Sequence, residues 1–377
     1  MKKVLYISGT RADYGLMQST LRAIDKSSKL ELEIVATGMH LMKEFGTTIN
    51  EIKKDGFKVH TIKATYKKDN KESMAKFVGE FIQLLSKEIK KIKPDMILVL
   101  GDRGEMLAGA IVGAYMSIPV VHIHGGEMSY TTDGIVRHAI TKLSDFHFSA
   151  TKKSAKRIIK MGEASNKIFV VGAPGLDDIS DKKIFSKKDI AKKYSLDLSK
   201  LILLVVQHAV SEKFEQSEKQ IKKTMEVIKD LGYQSIIIYP NADAGGREII
   251  KIIEQYRKYF FIQIYKSISR KDYLSLMNIA GVMVGNSSSG IIEAPSFHLP
   301  VVNIGLRQKG RERAKNIIDV NYDKEQIKSA IKKALFDDRF KKRVENSKNP
   351  YADGRTSKKI VKILNSIKIN KKLLEKN

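Results

Sequence analysis

Short, unbroken runs of β-branched and other apolar residues recur along this chain, each followed by a helical pattern. Runs at 4–8, 32–37, 57–62, 96–100, 120–123, 146–149 and 168–171 form a first set. A second set follows at 201–207, 235–239, 261–265, 282–284 and 301–304. Amphipathic stretches lie between them, for example 72–92, 105–116, 213–231 and 246–259. Continuous rather than alternating apolar strands belong to parallel sheets covered on both faces. Strand–helix repeats of this kind predict doubly wound, Rossmann-like α/β units. The pattern breaks at Gly172-Ala173-Pro174-Gly175 and through the polar stretch 177–200, which puts a boundary near 172–181. At 377 residues the chain exceeds one compact core, so two domains are expected, 1–174 and 175–354. A last helix near 355–367, within the segment 355–377, is expected to pack back across the boundary.

Ligands in such sheets bind beyond the carboxyl ends of the strands. The first strand ends in Ser8-Gly9-Thr10-Arg11-Ala12-Asp13-Tyr14-Gly15, a tight strand-to-helix turn. It lacks the GxGxxG fingerprint and a Walker lysine, which argues against NAD and ATP. Arg11 stands near a helix start, where positive charge is unfavourable without an anion. The strand at 96–100 ends in Gly101-Asp102-Arg103. Asp102 is either a helix N-cap or an acid/base group, since partial burial moves a carboxyl toward neutrality. His122-Ile123-His124-Gly125-Gly126-Glu127 closes the next strand. Alternation puts His122 and His124 on one face, either as a metal pair or for acid/base and hydrogen-bonding work. Asp133 reads as a helix N-cap with Arg137 paired to it one turn on.

In the second half, His208 and the Asn241-Ala242-Asp243-Ala244-Gly245 loop end two strands. The segment 285–311, GNSSSGIIEAPSFHLPVVNIGLRQKGR, is richest in signals. Asn286, Ser287, Ser288 and the glycines allow close backbone approach, and the apolar run after them predicts a helix whose N-terminus suits phosphate. Glu293, one and a half turns in, suits ribose hydroxyls, and GLRQKGR supplies basic residues.

Charge raises a second class. The net charge is +27, with lysine pairs at 67–68, 90–91, 152–153, 182–183 and 371–372. These fall mostly on polar helix sides. No basic stretch is interleaved with aromatics and no nucleic-acid-binding motif occurs, so the charge reads as solvated surface rather than a nucleic-acid site. The chain has no cysteine, which excludes a disulfide scaffold, thiolate metal sites and a cysteine nucleophile. A cytoplasmic enzyme fits. The first apolar run is four residues long and is soon broken by Gly9, Arg11 and Asp13, so it reads as a strand rather than a leader. No segment reaches the roughly 18 apolar residues of a membrane span, and no membrane association is expected.

GTRADYG, ATGMHL, LGDRGE, HIHGGE, DGIVRHAITKLSDFHF, NADAG, GNSSSGIIE and NIGLRQKGR together resemble the UDP-N-acetylglucosamine 2-epimerase family. RHAITK and the GGE after the HxH strand resemble its hydrolysing branch most closely. The resemblance covers nearly the whole chain. It implies the glycosyltransferase-B type of fold, with a cleft between two Rossmann-like halves; such a two-domain cleft predicts closure on UDP, with hinges near Gly172–Gly175 and before the last helix. It also implies that UDP-N-acetylglucosamine and water become N-acetylmannosamine and UDP through 2-acetamidoglucal, in sialic acid and surface-polysaccharide synthesis. The implied catalytic set is Asp102, Glu127, Asp133, Arg137, His208 and His124. The first three are the acid/base candidates, and many relatives carry Glu where this chain has His124. The implied diphosphate contacts are Arg11, Ser287 and Ser288, with Arg103 and His208 nearby. Ribose falls to Glu293 and uracil to Arg307, while Asp13, Asn241 and Asn286 complete the nucleotide set. Some relatives have lysine where this chain has Leu16. No metal or redox cofactor is implied, and a homodimer or homotetramer is.

Two alternatives stay within the resemblance. One is a hydrolysing 2-epimerase acting on UDP- or GDP-linked N,N′-diacetylbacillosamine, on the way to legionaminic acid. The other is reversible, non-hydrolysing epimerisation to UDP-N-acetylmannosamine.

Overall fold

The five apolar residues Met96–Leu100 are all buried, as are the five of Ile202–Val206. Such strands need cover on both faces, and each becomes a central strand of its own parallel sheet. The computed structural model describes residues 1–181, 184–352 and 355–369. The lysine pairs at 182–183 and 371–372, and position 354 at the expected end of the second unit, lie outside the described residues.

The first sheet contains β1 (Lys2–Ser8), β2 (Leu30–Ala36), β3 (Val59–Thr61), β4 (Met96–Leu100), β5 (Val120–Ile123), β6 (Phe146–Ser149) and β7 (Ile168–Val170). Its spatial order is β3-β2-β1-β4-β5-β6-β7, parallel throughout. The second contains β8 (Ile202–Val206), β9 (Gln234–Ile238), β10 (Ile262–Tyr265), β11 (Val282–Gly285), β12 (Val301–Ile304) and β13 (Ile317–Val320), in the order β10-β9-β8-β11-β12-β13. These are two doubly wound α/β units. In each sheet the winding reverses once, between β1 and β4 and between β8 and β11. The loops after those four strands line the crevice where such sheets bind ligands.

β13 is missing from the sequence reading. It is an edge strand and only partly buried, so it carries no continuous apolar signal. Two expected helices are also shorter. The one expected over 213–231 begins at Ser217, because Lys213 is non-helical, and the one expected over 246–259 ends at Glu254.

The closing helix Thr356–Ser366 lies on helix Arg11–Asp25, with Ile360 and Leu364 fully buried in the first sheet's core. Lys2 Nζ donates to the carbonyls of Leu364, Asn365 and Ile367 at 2.6, 2.9 and 2.8 Å. A cation placed there satisfies carbonyls that the helix end leaves unpaired.

Contacts also tie the two units together on the cleft side. Helix Gly246–Glu254 has Gly245 at its N-cap and so no capping side chain of its own. Asp69, from the other unit, accepts from the backbone N–H groups of Gly245, Arg247 and Glu248 at 2.9, 3.0 and 3.3 Å. Arg247 also pairs with Glu44 at 2.7 Å. Among the described residues, no helix is long and apolar enough to cross a membrane.

Leu364→Ala is expected to lower unfolding free energy by about 2–5 kcal/mol, as for other buried leucines, in urea denaturation followed by circular dichroism. A loss below about 1 kcal/mol would show that the closing helix is not part of the first core.

Candidate functional site

Gly101 has φ +81° and turns the chain sharply at the end of β4. The turn is held by His122, fully buried on β5, whose Nε2 lies 2.7 Å from the Gly101 carbonyl oxygen. Burial, with nearby cations, drives His122 down to about 3, so it is neutral and donates that bond. Asp102 thereby meets the guanidinium of Arg137, itself 1% exposed. Arg137 also donates to the Glu127 carbonyl at 3.3 Å. The N-cap of helix Gly104–Tyr115 is Arg103, which removes the capping reading of Asp102.

His124 has φ +64°, so the extended run stops at Ile123 and the expected shared face with His122 is lost. His124 Nδ1 is hydrogen-bonded to Glu127 Oε1. The other Glu127 oxygen lies 3.4 Å from Arg311. Burial by itself would raise the Glu127 carboxyl, but His124 and Arg311 outweigh it and bring it down to about 2. Glu127 is therefore an ionised anchor for its two neighbours.

The expected Asp133–Arg137 pair does not form. Thr131, not Asp133, occupies the N-cap position of helix Thr132–Leu143, and Asp133 lies inside its first turn. Asp133 Oδ2 accepts from Arg307 Nη2 of the second unit at 3.1 Å. Arg137 is instead drawn to Asp102. A second pair crosses the cleft between Arg103 and Asp243 at 3.6 Å, and Thr132 bonds Glu212.

The Ser8–Gly15 turn is a capping box. Asp13 accepts from Gly9 N, Thr10 N and Thr10 Oγ1 at 3.1, 2.7 and 2.8 Å, while its other oxygen accepts from Ser8 and Tyr6. Burial raises its carboxyl to about 6, with the Ser8 and Thr10 hydroxyls pulling against the rise. Both oxygens are thus engaged in the turn. The guanidinium of Arg11, at the first helical position, makes no hydrogen bond or ion pair among the described residues. It lines a small cavity with Asn241 and Lys266.

Across the cleft, Gly285 has φ +133°, and a Cβ there would lie 2.0 Å from the Val206 carbonyl oxygen. Only glycine lets β11 lie this close to the end of β8. Asn286 then clamps His208, accepting from its N–H at 2.7 Å and donating to its carbonyl at 2.9 Å. His208 Nδ1 accepts from the Asn241 N–H at 3.2 Å, which leaves the ring proton on Nε2. Burial, then Arg307 and Arg103, push His208 well below its usual value, so it is a neutral donor. The helix expected after the serines is a single turn, Ser289–Ile292, because Pro295 cannot continue it. Glu293 is buried at its end and paired with Arg270.

One cavity of about 310 Å³ opens between the two units. Asp102, Arg103, His124, Asp133 and Arg137 line it from the first unit, with Asp13 at the turn. Asn241, Ser288 and Arg307 line it from the second. Glu127, His208, Asn286, Ser287 and Glu293 do not line it, and Arg11 opens onto the neighbouring space. Sequence reasoning missed Arg311 and Asp243, which line the cavity, and Arg270, which holds Glu293. The first two lie within GLRQKGR and NADAG, so position in a motif was the available signal. Arg270 carried none.

Glu127→Gln removes a carboxylate whose folded-state pKa lies below its unfolded one. The stabilisation is therefore full above about 4.5 and is lost as pH falls through about 2. The variant is expected to be less stable at pH 7 by on the order of 3 kcal/mol. In denaturation at several pH values, the gap to the parent should narrow below about pH 4.5. A gap that stays constant to pH 3 would contradict the anchoring role.

Known proteins match the chain in sequence and in fold. A family model described as UDP-N-acetylglucosamine 2-epimerase matches residues 22–365. The chain is 41% identical over 377 residues to the hydrolysing UDP-N,N′-diacetylbacillosamine 2-epimerase of Legionella pneumophila, covering 100% of this chain and 99% of that one. It is 36% identical over 337 residues to the UDP-N-acetylglucosamine 2-epimerase of Neisseria meningitidis serogroup B, covering 89% and 88%. A solved structure of UDP-GlcNAc 2-epimerase from Neisseria meningitidis, bound to UDP-GlcNAc, superposes with a TM-score of 0.80 at 21% identity, covering 96% and 99%. The two units thus have the glycosyltransferase-B arrangement. With the family model spanning both units and the match to the Legionella pneumophila enzyme running the full length, the chain belongs to the UDP-N-acetylglucosamine 2-epimerase family.

Proposed function

We propose that this protein is a hydrolysing nucleotide-sugar 2-epimerase whose substrate is UDP-N,N′-diacetylbacillosamine. The observation that carries the reaction type is the meeting of two carboxylates, Asp102 and Asp133, in one cavity, each held by an arginine. The 41% identity to the Legionella pneumophila enzyme supports this sugar over the N-acetylglucosamine expected from the motifs alone. UDP-N-acetylglucosamine, with N-acetylmannosamine as product, is the second reading, favoured by the 36% identity to the meningococcal relative.

In the reaction a carboxylate removes the C2 proton while UDP departs from C1. Water then adds across the resulting double bond, its oxygen to C1 and a proton to C2 on the opposite face. The free sugar is released inverted at C2. Asp102 and Asp133 are the groups for these proton transfers, since carboxylates within reach of C2 can take a proton and return one. Arg307 and Arg103, with the Ser288 loop, offer positive charge and donors to the departing diphosphate. A diphosphate arriving at Arg307 competes with Asp133 for that guanidinium and releases the carboxylate toward the sugar. The neutral His208 suits hydrogen-bond donation rather than charge neutralisation. Glu127 acts through His124 and Arg311.

Incubation with UDP-N,N′-diacetylbacillosamine is expected to release UDP and the C2-inverted free sugar, seen by chromatography and NMR. A nucleotide-linked epimer would instead indicate the non-hydrolysing reaction, and turnover confined to UDP-N-acetylglucosamine would select the second reading. Asp102→Asn and Asp133→Asn are each expected to lower kcat by about 10²–10⁴-fold while UDP still binds in calorimetry. Full turnover in both variants would contradict the assignment.

A further inference from the structure

The cavity lining is of two kinds. Asp102, Asp133 and Arg137 are its charged groups in the first unit's loops and helix starts. Beside them runs an apolar wall: Met74, Ala75 and Val78 from helix Lys71–Ile92, Leu107 from helix Gly104–Tyr115, and Val136 from helix Thr132–Leu143. These side chains are not ordinary core. The core stripe of helix Lys71–Ile92 is Phe77, Phe81 and Leu85, each fully buried. Met74, Val78, Leu107 and Val136 are half-buried, resting on that core and facing the cavity.

The wall also adjoins the reacting groups. A Cβ added at Gly104 would lie 2.8 Å from Val78 Cγ2, so Val78 sits directly against the turn that presents Asp102. Polar atoms along its border are bound to one another. Tyr66 donates to Glu105 Oε1 at 3.0 Å, and Arg103 Nε donates to Glu105 Oε2 at 3.2 Å. A hydroxyl pressed onto this wall would lose water without gaining a partner, whereas a methyl group would gain by burial.

Ring geometry says what meets it. Chemistry at C1 and C2 turns that edge of the pyranose toward Asp102 and Asp133. C4 lies across the ring from C1, and C5, carrying C6, lies across from C2. The C4 and C6 substituents therefore face away from the carboxylates. We infer that Met74, Val78, Leu107 and Val136 set the sugar specificity of this enzyme by accepting methyl-bearing groups at C4 and C6. The inference rests on the 2-epimerase reading above and names the side chains that choose its substrate. A 4-acetamido-6-deoxy sugar offers a methyl group at each position, while N-acetylglucosamine offers hydroxyl groups at both.

The test compares kcat/KM for UDP-N,N′-diacetylbacillosamine and UDP-N-acetylglucosamine in the parent, in Leu107→Asn and in the isosteric Val78→Thr, with UDP affinity measured alongside. The parent is expected to prefer the diacetylated sugar. Each variant should cut that preference by about 10-fold or more, within the range of discrimination that apolar pockets achieve, with UDP affinity unchanged. If Leu107→Asn no longer binds UDP, Val78→Thr decides. A parent that prefers the diacetylated sugar with an unmoved ratio in the variants overturns the wall's role alone. A parent that prefers UDP-N-acetylglucosamine overturns the substrate reading and the wall's role together.

Discussion

A guanidinium buried as deeply as that of Arg137 has to be met by an anion. Left unpaired it would cost several kcal/mol, and removing one partner of such a pair costs about 3–5 kcal/mol. Asp102 is the carboxylate that meets it, and much of the neighbouring structure serves to bring that carboxylate there. Gly101 turns the chain out of β4, and the neutral His122 holds the turn by its carbonyl. The Glu127 carbonyl takes another guanidinium N–H, and the Glu127 carboxylate passes the charge pattern on to His124 and Arg311. From one buried cation, a chain of alternating charge runs from β4 into the opposite unit.

That chain gives the cleft a charged lining drawn from both units. Both topological reversals point their loops into it, so each unit supplies part of the wall. The cross-cleft pairs Asp133–Arg307 and Arg103–Asp243 match the anionic groups of one half to the cations of the other. The nucleoside diphosphate of the proposed substrate would bring negative charge to the same arginines. The ion pairs that cross the cleft are thus those a substrate would rearrange, with Asp69 and Arg247 bridging the units at the side of the cleft.

The strands were legible because each central one is a continuous apolar run, and the site loops were legible because they follow those runs. Gly101-Asp102-Arg103 and the 285–293 segment could be picked out for that reason alone. Partners could not be read. Asp133 looked paired to Arg137, four residues on, yet its arginine is 174 residues away, and Arg137 turns back 35 residues to Asp102. A helical i,i+4 pair is worth only about 0.2–0.5 kcal/mol, so tertiary pairing of buried charge overrides it. Nor could the partner of Glu293, read as a carboxylate for ribose hydroxyls, be seen: Arg270 arrives from a helix with no motif of its own. His124 lost its predicted face to a single positive φ, which side-chain alternation does not reveal.

Running the reaction in deuterium oxide tests the central claim most directly, since it asks whether the C2–H bond is broken at all. Proton removal at C2 followed by addition of water predicts a released sugar with inverted C2 and one deuterium on that carbon, resolved by NMR and mass spectrometry. A free sugar that keeps its C2 configuration and its original C2 proton would mean simple hydrolysis at C1 and would contradict the account.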